Sequence, residues 1–170
     1  MNIGIFCSAR ELAPEYVEPV KDFAKHVGEH GHTLVWGGSS TGLMKVVAEG
    51  VQQAGGKLVG ITIERYQDDL FQSADETIVA QDLFDRKRQM IDRSEAIAIL
   101  VGGIGTLDEA TDFIELKREG AHDMPIVFLN TNGFYQPLRD QFAAMADGAL
   151  LDRPVDELVD FAETSHQALD

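Results

Sequence analysis

The sequence predicts an α/β fold in three layers, a parallel sheet with helices on both faces. Short apolar runs alternate with amphipathic helical stretches along the whole chain, the pattern of repeated strand–helix–strand units. Glycine-rich turns follow two of those runs, at 37–42 and 102–106, where such sheets pass from strand to helix. The 170 residues are enough to bury a core and are expected to form one domain, residues 1–170.

Ile3 to Cys7 reads as the first buried strand, continuous in its apolar character rather than alternating. Leu12, Tyr16, Val20, Phe23 and Val27 then recur at helical spacing, and Gly28 and Gly31 punctuate the end. Thr33–Trp36 is the second strand, and the turn 37–42 opens a helix through Leu43, Val46, Val47 and Val51. Gly55 and Gly56 stop it, and Leu58–Thr62 is the third strand. Residues 63–76 are polar and irregular, the expected mobile loop. A short strand at Thr77–Val79 precedes a helix from Leu83 to Arg93. Ala96–Val101 is the clearest buried strand, and a helix opening near Thr106 carries Leu107, Ala110 and Ile114. Pro125–Leu129 is a further strand, and Tyr135, Leu138, Phe142 and Met145 mark another helix. Leu158–Ala162 suits an edge strand, with Thr164 or Ser165 capping a short last helix.

Composition narrows the function. The chain carries 29 acidic and 14 basic residues, a formal net charge of −15. Such a field repels nucleic acid and anionic membranes, so neither is an expected partner. A small phosphorylated ligand stays open, provided a local cluster of donors and cations meets it. Cys7 is a single cysteine, no signal-peptide head is present, and no apolar run approaches the roughly 20 residues that span a bilayer. A cytoplasmic location is the expectation.

Gly102-Gly103-Ile104-Gly105-Thr106 lets the backbone approach a ligand, and the helix behind it offers free N–H groups and a positive dipole end to an anion. Gly37-Gly38-Ser39-Ser40-Thr41-Gly42 is a second turn of the same kind. Neither is a Walker A loop or the dinucleotide fingerprint. Arg86-Lys87-Arg88 is the densest basic run, readable as a solvated helix face or as the charge a phosphate needs. Glu109 is either a carboxylate placed favourably in a first helical turn or one held within reach of substrate. Cys7 reads as a structural thiol beside Ser8. His26, His30, His32, His122 and His166 form no zinc pattern, and no metal is expected.

Gly102-Gly103-x-Gly105-Thr106-x-x-Glu109 resembles the signature of the LOG ("Lonely Guy") family, cytokinin riboside 5′-monophosphate phosphoribohydrolases often mislabelled as lysine decarboxylases. Gly37-Gly38-x-Ser40-x-Gly42-Leu43-Met44, Arg86-Lys87-x-x-Met90 and Asn130-x-x-Gly133-Phe134-Tyr135-x-Pro137-Leu138 match in the same order. The resemblance implies a Rossmann-like fold and a homodimer without cofactor or metal. It implies hydrolysis of the N-glycosidic bond of a nucleoside 5′-monophosphate, AMP or an N6-modified relative, to free base and ribose 5-phosphate. By the matching positions Arg86 and Glu109 are the catalytic pair. Ser8, Gly38, Ser39, Ser40, Thr41, Gly42, Met44, Lys87, Gly102, Gly103, Ile104, Gly105 and Thr106 then hold phosphate and nucleotide. The chain departs from the family pattern at Ser8, Ser39, Lys45 and Val101, and lacks the usual aromatic near Leu116. Those departures keep a rival open: a non-catalytic nucleotide-binding protein, or a molybdenum-cofactor carrier, on the same scaffold.

Overall fold

A computed structural model describes residues 1–169. Seven strands form one parallel sheet: β1 (Asn2–Phe6), β2 (Thr33–Trp36), β3 (Lys57–Ile63), β4 (Glu76–Ala80), β5 (Ala96–Ile99), β6 (Ile126–Leu129) and β7 (Asp160–Ala162). Between them lie α1 (Pro14–Glu29), α2 (Gly42–Gln53), α3 (Leu83–Asp92), α4 (Ile104–Arg118), α5 (Gln136–Asp147) and the single turn α6 (Val155–Leu158). The α/β reading and its parallel sheet hold.

Buried side chains divide into two layers. Val20, Phe23, Val27, Leu43, Val47 and Val51 of α1 and α2 pack on Ile5, Leu34, Trp36, Ala98 and Leu100. Met90, Ala110, Phe113 and Tyr135 pack on the opposite face with Phe6, Val35, Ile97 and Ile99. Residues 97–100 thus bury on alternate faces, which is why that run carries no polar positions.

The strand order is β4-β3-β2-β1-β5-β6-β7. The chain builds outward from β1 to β4, then returns to lay β5 on the other side of β1. That reversal opens a crevice beyond the carboxyl ends of β1 and β5, the position where open parallel sheets bind ligands. Ser8 N–H donates to the Val101 carbonyl across it at 3.0 Å.

Three expectations need correction. The helix after the 102–106 turn begins at Ile104, not near Thr106, so the turn's last residues supply its first uncapped N–H groups. Residues 63–76 are not wholly irregular. β3 runs to Ile63, a 3-10 turn spans Glu64–Asp69, and Ser39 bridges Leu70. Phe71 anchors that segment by packing edge-on against Trp36. No last helix forms among the described residues: 164–169 make bends and turns, in which Thr164 Oγ1 accepts from Gln167 N–H without the helix propagating.

Candidate active site

Loops after four strands, with α3 and α4, line a cleft of about 460 Å³ at this crevice. Cys7, Ser8, Ala9 and Arg10 follow β1; Gly37, Ser39, Thr41 and Met44 follow β2; Tyr66 and Asp69 follow β3. Arg86 comes from α3, and Gly103, Ile104, Gly105, Thr106 and Glu109 from the start of α4. Cavities of about 590 and 630 Å³ lie elsewhere, beneath the C-terminal turns and between α1 and α2. Neither contains a glycine-rich turn or the Arg86–Glu109 pair.

Arg86 and Glu109 meet at the cleft wall. Arg86 Nη1 donates to Glu109 Oε1 at 2.9 Å, and Arg86 Nε donates to the Ile61 carbonyl at 2.9 Å. Their side chains are only 12% and 15% exposed. Burial raises the Glu109 carboxyl above the ordinary glutamate value, against the opposing charge and hydrogen bond of Arg86. Gly37 makes room for the guanidinium: a Cβ there would come within 2.1 Å of Arg86 Nη2.

The two glycine turns differ in what they leave free. In the first, the Ser39 and Thr41 hydroxyls pair at 2.8 Å, and Thr41 N–H donates to Ser39 Oγ at 3.2 Å. Ser40 N–H goes to the Asp69 carbonyl at 2.7 Å, and Met44 N–H to the Ser8 carbonyl at 3.3 Å. Much of this turn is spent holding itself together. The second turn is open. Gly103 caps α4 without any side-chain bond, Leu107 N–H closes the first turn onto the Gly103 carbonyl, and the N–H groups of 104–106 precede any intrahelical partner. No atom lies within 4 Å of a Cβ placed on Gly103 or Gly105, so a ligand has clear access.

Several residues singled out above lie outside the cleft lining. Gly38 backs onto Gly60 in a left-handed conformation (φ +73°). Ser40 and Gly42 face a neighbouring cavity shared with Lys45 and Glu49, where Lys45 pairs with Glu49 at 3.7 Å. Gly102 sits behind the cleft, with Thr106 filling the space of its absent side chain. Lys87 is outside the lining too, held by Asp108 and Asp112 of α4 at 3.0 Å and 2.9 Å. Burial opposes that ammonium, but the hydrogen bonds to Asp112 and Asp108 prevail and raise its pKa.

Arg10, Tyr66 and Asp69 line the cleft without having been singled out. Arg10 stands right after the first strand, a position visible in the sequence. The other two arrive from a segment that offers no periodicity. Cys7 is a lining residue whose thiol is driven far up by burial and then by Glu109, which keeps it protonated. None of the histidines lines the cleft. Among the described residues, no group of three or more His, Cys, Asp or Glu is arranged to hold a metal ion, and no helix is long and apolar enough to cross a membrane.

Residues 44–170 match the family model described as possible lysine decarboxylase. The cytokinin riboside 5′-monophosphate phosphoribohydrolase of Mycobacterium tuberculosis is 34% identical over 148 residues, covering 86% of this chain and 79% of that protein. Its namesake from Mycobacterium marinum is 31% identical, covering 99% and 91%. Solved structures share the fold at lower identity. The molybdenum cofactor carrier protein of Chlamydomonas reinhardtii has a TM-score of 0.73 at 23% identity, covering 99% of this chain and 92% of that one. The molybdenum cofactor binding protein of Rippkaea orientalis has a TM-score of 0.72 at 17%, with the same coverage. On the family model and the mycobacterial relatives together, the chain belongs to the LOG family.

Proposed function

We propose that the chain hydrolyses the N-glycosidic bond of a nucleoside 5′-monophosphate, AMP or an N6-modified relative, releasing free base and ribose 5-phosphate. The observation that carries this reading is the buried Arg86–Glu109 pair beside the uncapped N-terminus of α4. The two mycobacterial relatives support it by their activity.

In this reading the 5′-phosphate docks on the N–H groups of Ile104, Gly105 and Thr106, where the helix dipole favours an anion. Anchoring there delivers remote binding energy that holds the sugar in place. As the glycosidic bond breaks, the sugar takes on oxocarbenium character, and the Glu109 carboxylate stabilises the positive charge. The same carboxylate accepts a proton from the attacking water, and the departing base takes up a proton at its nitrogen. A carboxyl pKa above the ordinary range makes Glu109 a better proton acceptor. Arg86, tethered at Nε to the Ile61 carbonyl, fixes the carboxylate's position. Asp69 and Tyr66 offer polar partners to ribose hydroxyls or the base.

We take residues 1–170 to act as one nucleotide-binding unit, paired as a homodimer. Phe84 and Ile104 are 81% and 84% exposed on adjacent helices, each one turn before the Lys87–Asp108 bridge that joins α3 to α4. Large apolar groups so placed suit a partner surface. Sedimentation equilibrium is expected to give twice the mass of the single chain; a monomer at micromolar concentration would oppose the pairing. The carrier rival rests on structural likeness alone, which speaks for the fold.

The test is chromatography of free base after incubation with AMP and N6-isopentenyl-AMP. Glu109→Gln is expected to lower release by about 100-fold or more. Release unchanged in that variant would remove Glu109 from the chemistry.

A further inference from the structure

A phosphate entering an acidic protein needs a positive charge that is not already spent, and the basic run at 86–88 does not supply one. Arg86 is bound to Glu109, Lys87 to Asp108 and Asp112, and Arg88 to Asp85 at 2.6 Å. Lys45 faces the neighbouring cavity and pairs with Glu49. Among the residues lining the cleft, the cations are Arg10 and Arg86, against the carboxylates Asp69 and Glu109. The Arg10 guanidinium has no ion pair or hydrogen bond among the described residues. It is the uncommitted positive charge of the site.

Its backbone is nevertheless fixed. Arg10 N–H donates to Ser8 Oγ at 3.0 Å, and Ser8 is itself tied to Val101 and Met44 through its N–H and carbonyl. The loop then presses onto the first residue of α2: a Cβ on Gly42 would lie 2.4 Å from the Arg10 carbonyl oxygen. An exposed, unpartnered guanidinium on an anchored backbone suits capture of an oxyanion, which arginine can grip through two parallel N–H donors.

Resting on the hydrolase reading, we propose that Arg10 is the specificity-determining residue that selects a 5′-phosphorylated nucleoside over the bare nucleoside, by pairing with the phosphate docked at the N-terminus of α4. Uncapped backbone donors and one free arginine together balance a dianion. Without Arg10, the nearest side chains of fixed charge in the cleft are Asp69 and the neutralised Arg86–Glu109 pair, a poor field for phosphate.

The experiment compares wild type, Arg10→Ala and Arg10→Lys in two assays. Calorimetric titration with ribose 5-phosphate reads binding without chemistry. Steady-state hydrolysis of AMP and adenosine reads discrimination. Arg10→Ala is expected to weaken ribose 5-phosphate binding by about 10-fold or more, with Arg10→Lys intermediate. The KM for AMP should rise by more than kcat changes, and the preference for AMP over adenosine should shrink. Undiminished ribose 5-phosphate affinity in an Arg10→Ala protein with wild-type circular dichroism would overturn the assignment, as would a wild type that binds no ribose 5-phosphate. Binding lost in Arg10→Ala while wild type cleaves no nucleotide would instead sink the hydrolase reading and leave Arg10 as a phosphate anchor.

Discussion

Arg86 ties α3 to both β3 and α4 at the wall of the cleft. Its Nε reaches the β3 carbonyl of Ile61, its Nη1 reaches Glu109, and its Nη2 lies where any side chain on Gly37 would have to go. Removing the arginine would leave a buried carboxylate unpaired, a loss of about 3–5 kcal/mol, whereas the exposed Lys21–Glu18 pair is worth at most about 1 kcal/mol. The burial that makes this pair rigid also sets its pH response. Glu109 titrates above the 4.5 of an ordinary glutamate because desolvation outweighs the help of Arg86. In the proposed mechanism its charged form is the active one, so activity is expected to fall as pH drops through that raised value. The acid limb of kcat/KM is therefore expected above pH 4.5, and a limb at or below it would show that Glu109 is not the titrating group. In the sequence, Arg86 and Glu109 stand out as a pair only through the resemblance to the LOG signature; taken alone, each has an ordinary structural reading. The sequence could not show that Lys87 and Arg88 are occupied by carboxylates, because ion pairing depends on how α3 lies against α4. Arg10 was overlooked for the converse reason: an isolated arginine after a strand has no pattern until the loop is folded over the cleft.

At the scale of elements, the junction of β6 and α5 explains why residues 130–138 follow a motif. Asn130 is buried and its side-chain oxygen accepts from Tyr135 N–H at 2.7 Å, while the Tyr135 hydroxyl donates to the buried Leu100 carbonyl at 2.8 Å, two residues before Gly102. That motif builds the scaffold under the 102–106 turn. Asn132, beside it, adopts φ +53° and donates its side-chain amide to the Glu15 carbonyl at 3.0 Å. Pro19 inside α1 has no N–H to offer that carbonyl, so a residue 117 positions away satisfies it. Asn132→Ala is expected to cost about 1 kcal/mol in urea unfolding. In a Pro19→Ala background, where the helix regains its own donor, the loss should shrink. Equal losses in both backgrounds would disconnect the two residues. Strands and long helices were legible because burial on one or two faces imposes a period. The segment at 64–71 was not, since Phe71 packs on Trp36 through a contact that no local period announces, and capping residues such as Thr164 do not distinguish the turns of 164–169 from a helix.

At the scale of the molecule, the order of strands decides where chemistry is possible. Because the chain reverses between β4 and β5, the loops after β1 and β5 face each other, and Ser8, Arg10, Thr106 and Glu109 converge from stretches nearly a hundred residues apart. Alternating strands and helices foretold a parallel sheet, but the position of the switch point came only with the pairing of β1 to both β2 and β5. The net charge of −15 acts at the same scale. Its long-range field disfavours polyanions, and in the proposed reading an uncapped helix end and one free arginine admit a single phosphate locally. The most direct measurement of the central claim is product analysis of wild-type protein incubated with AMP. The account predicts adenine and ribose 5-phosphate in equal amounts. Adenosine with inorganic phosphate, or AMP recovered intact from a folded protein that binds ribose 5-phosphate, would contradict it.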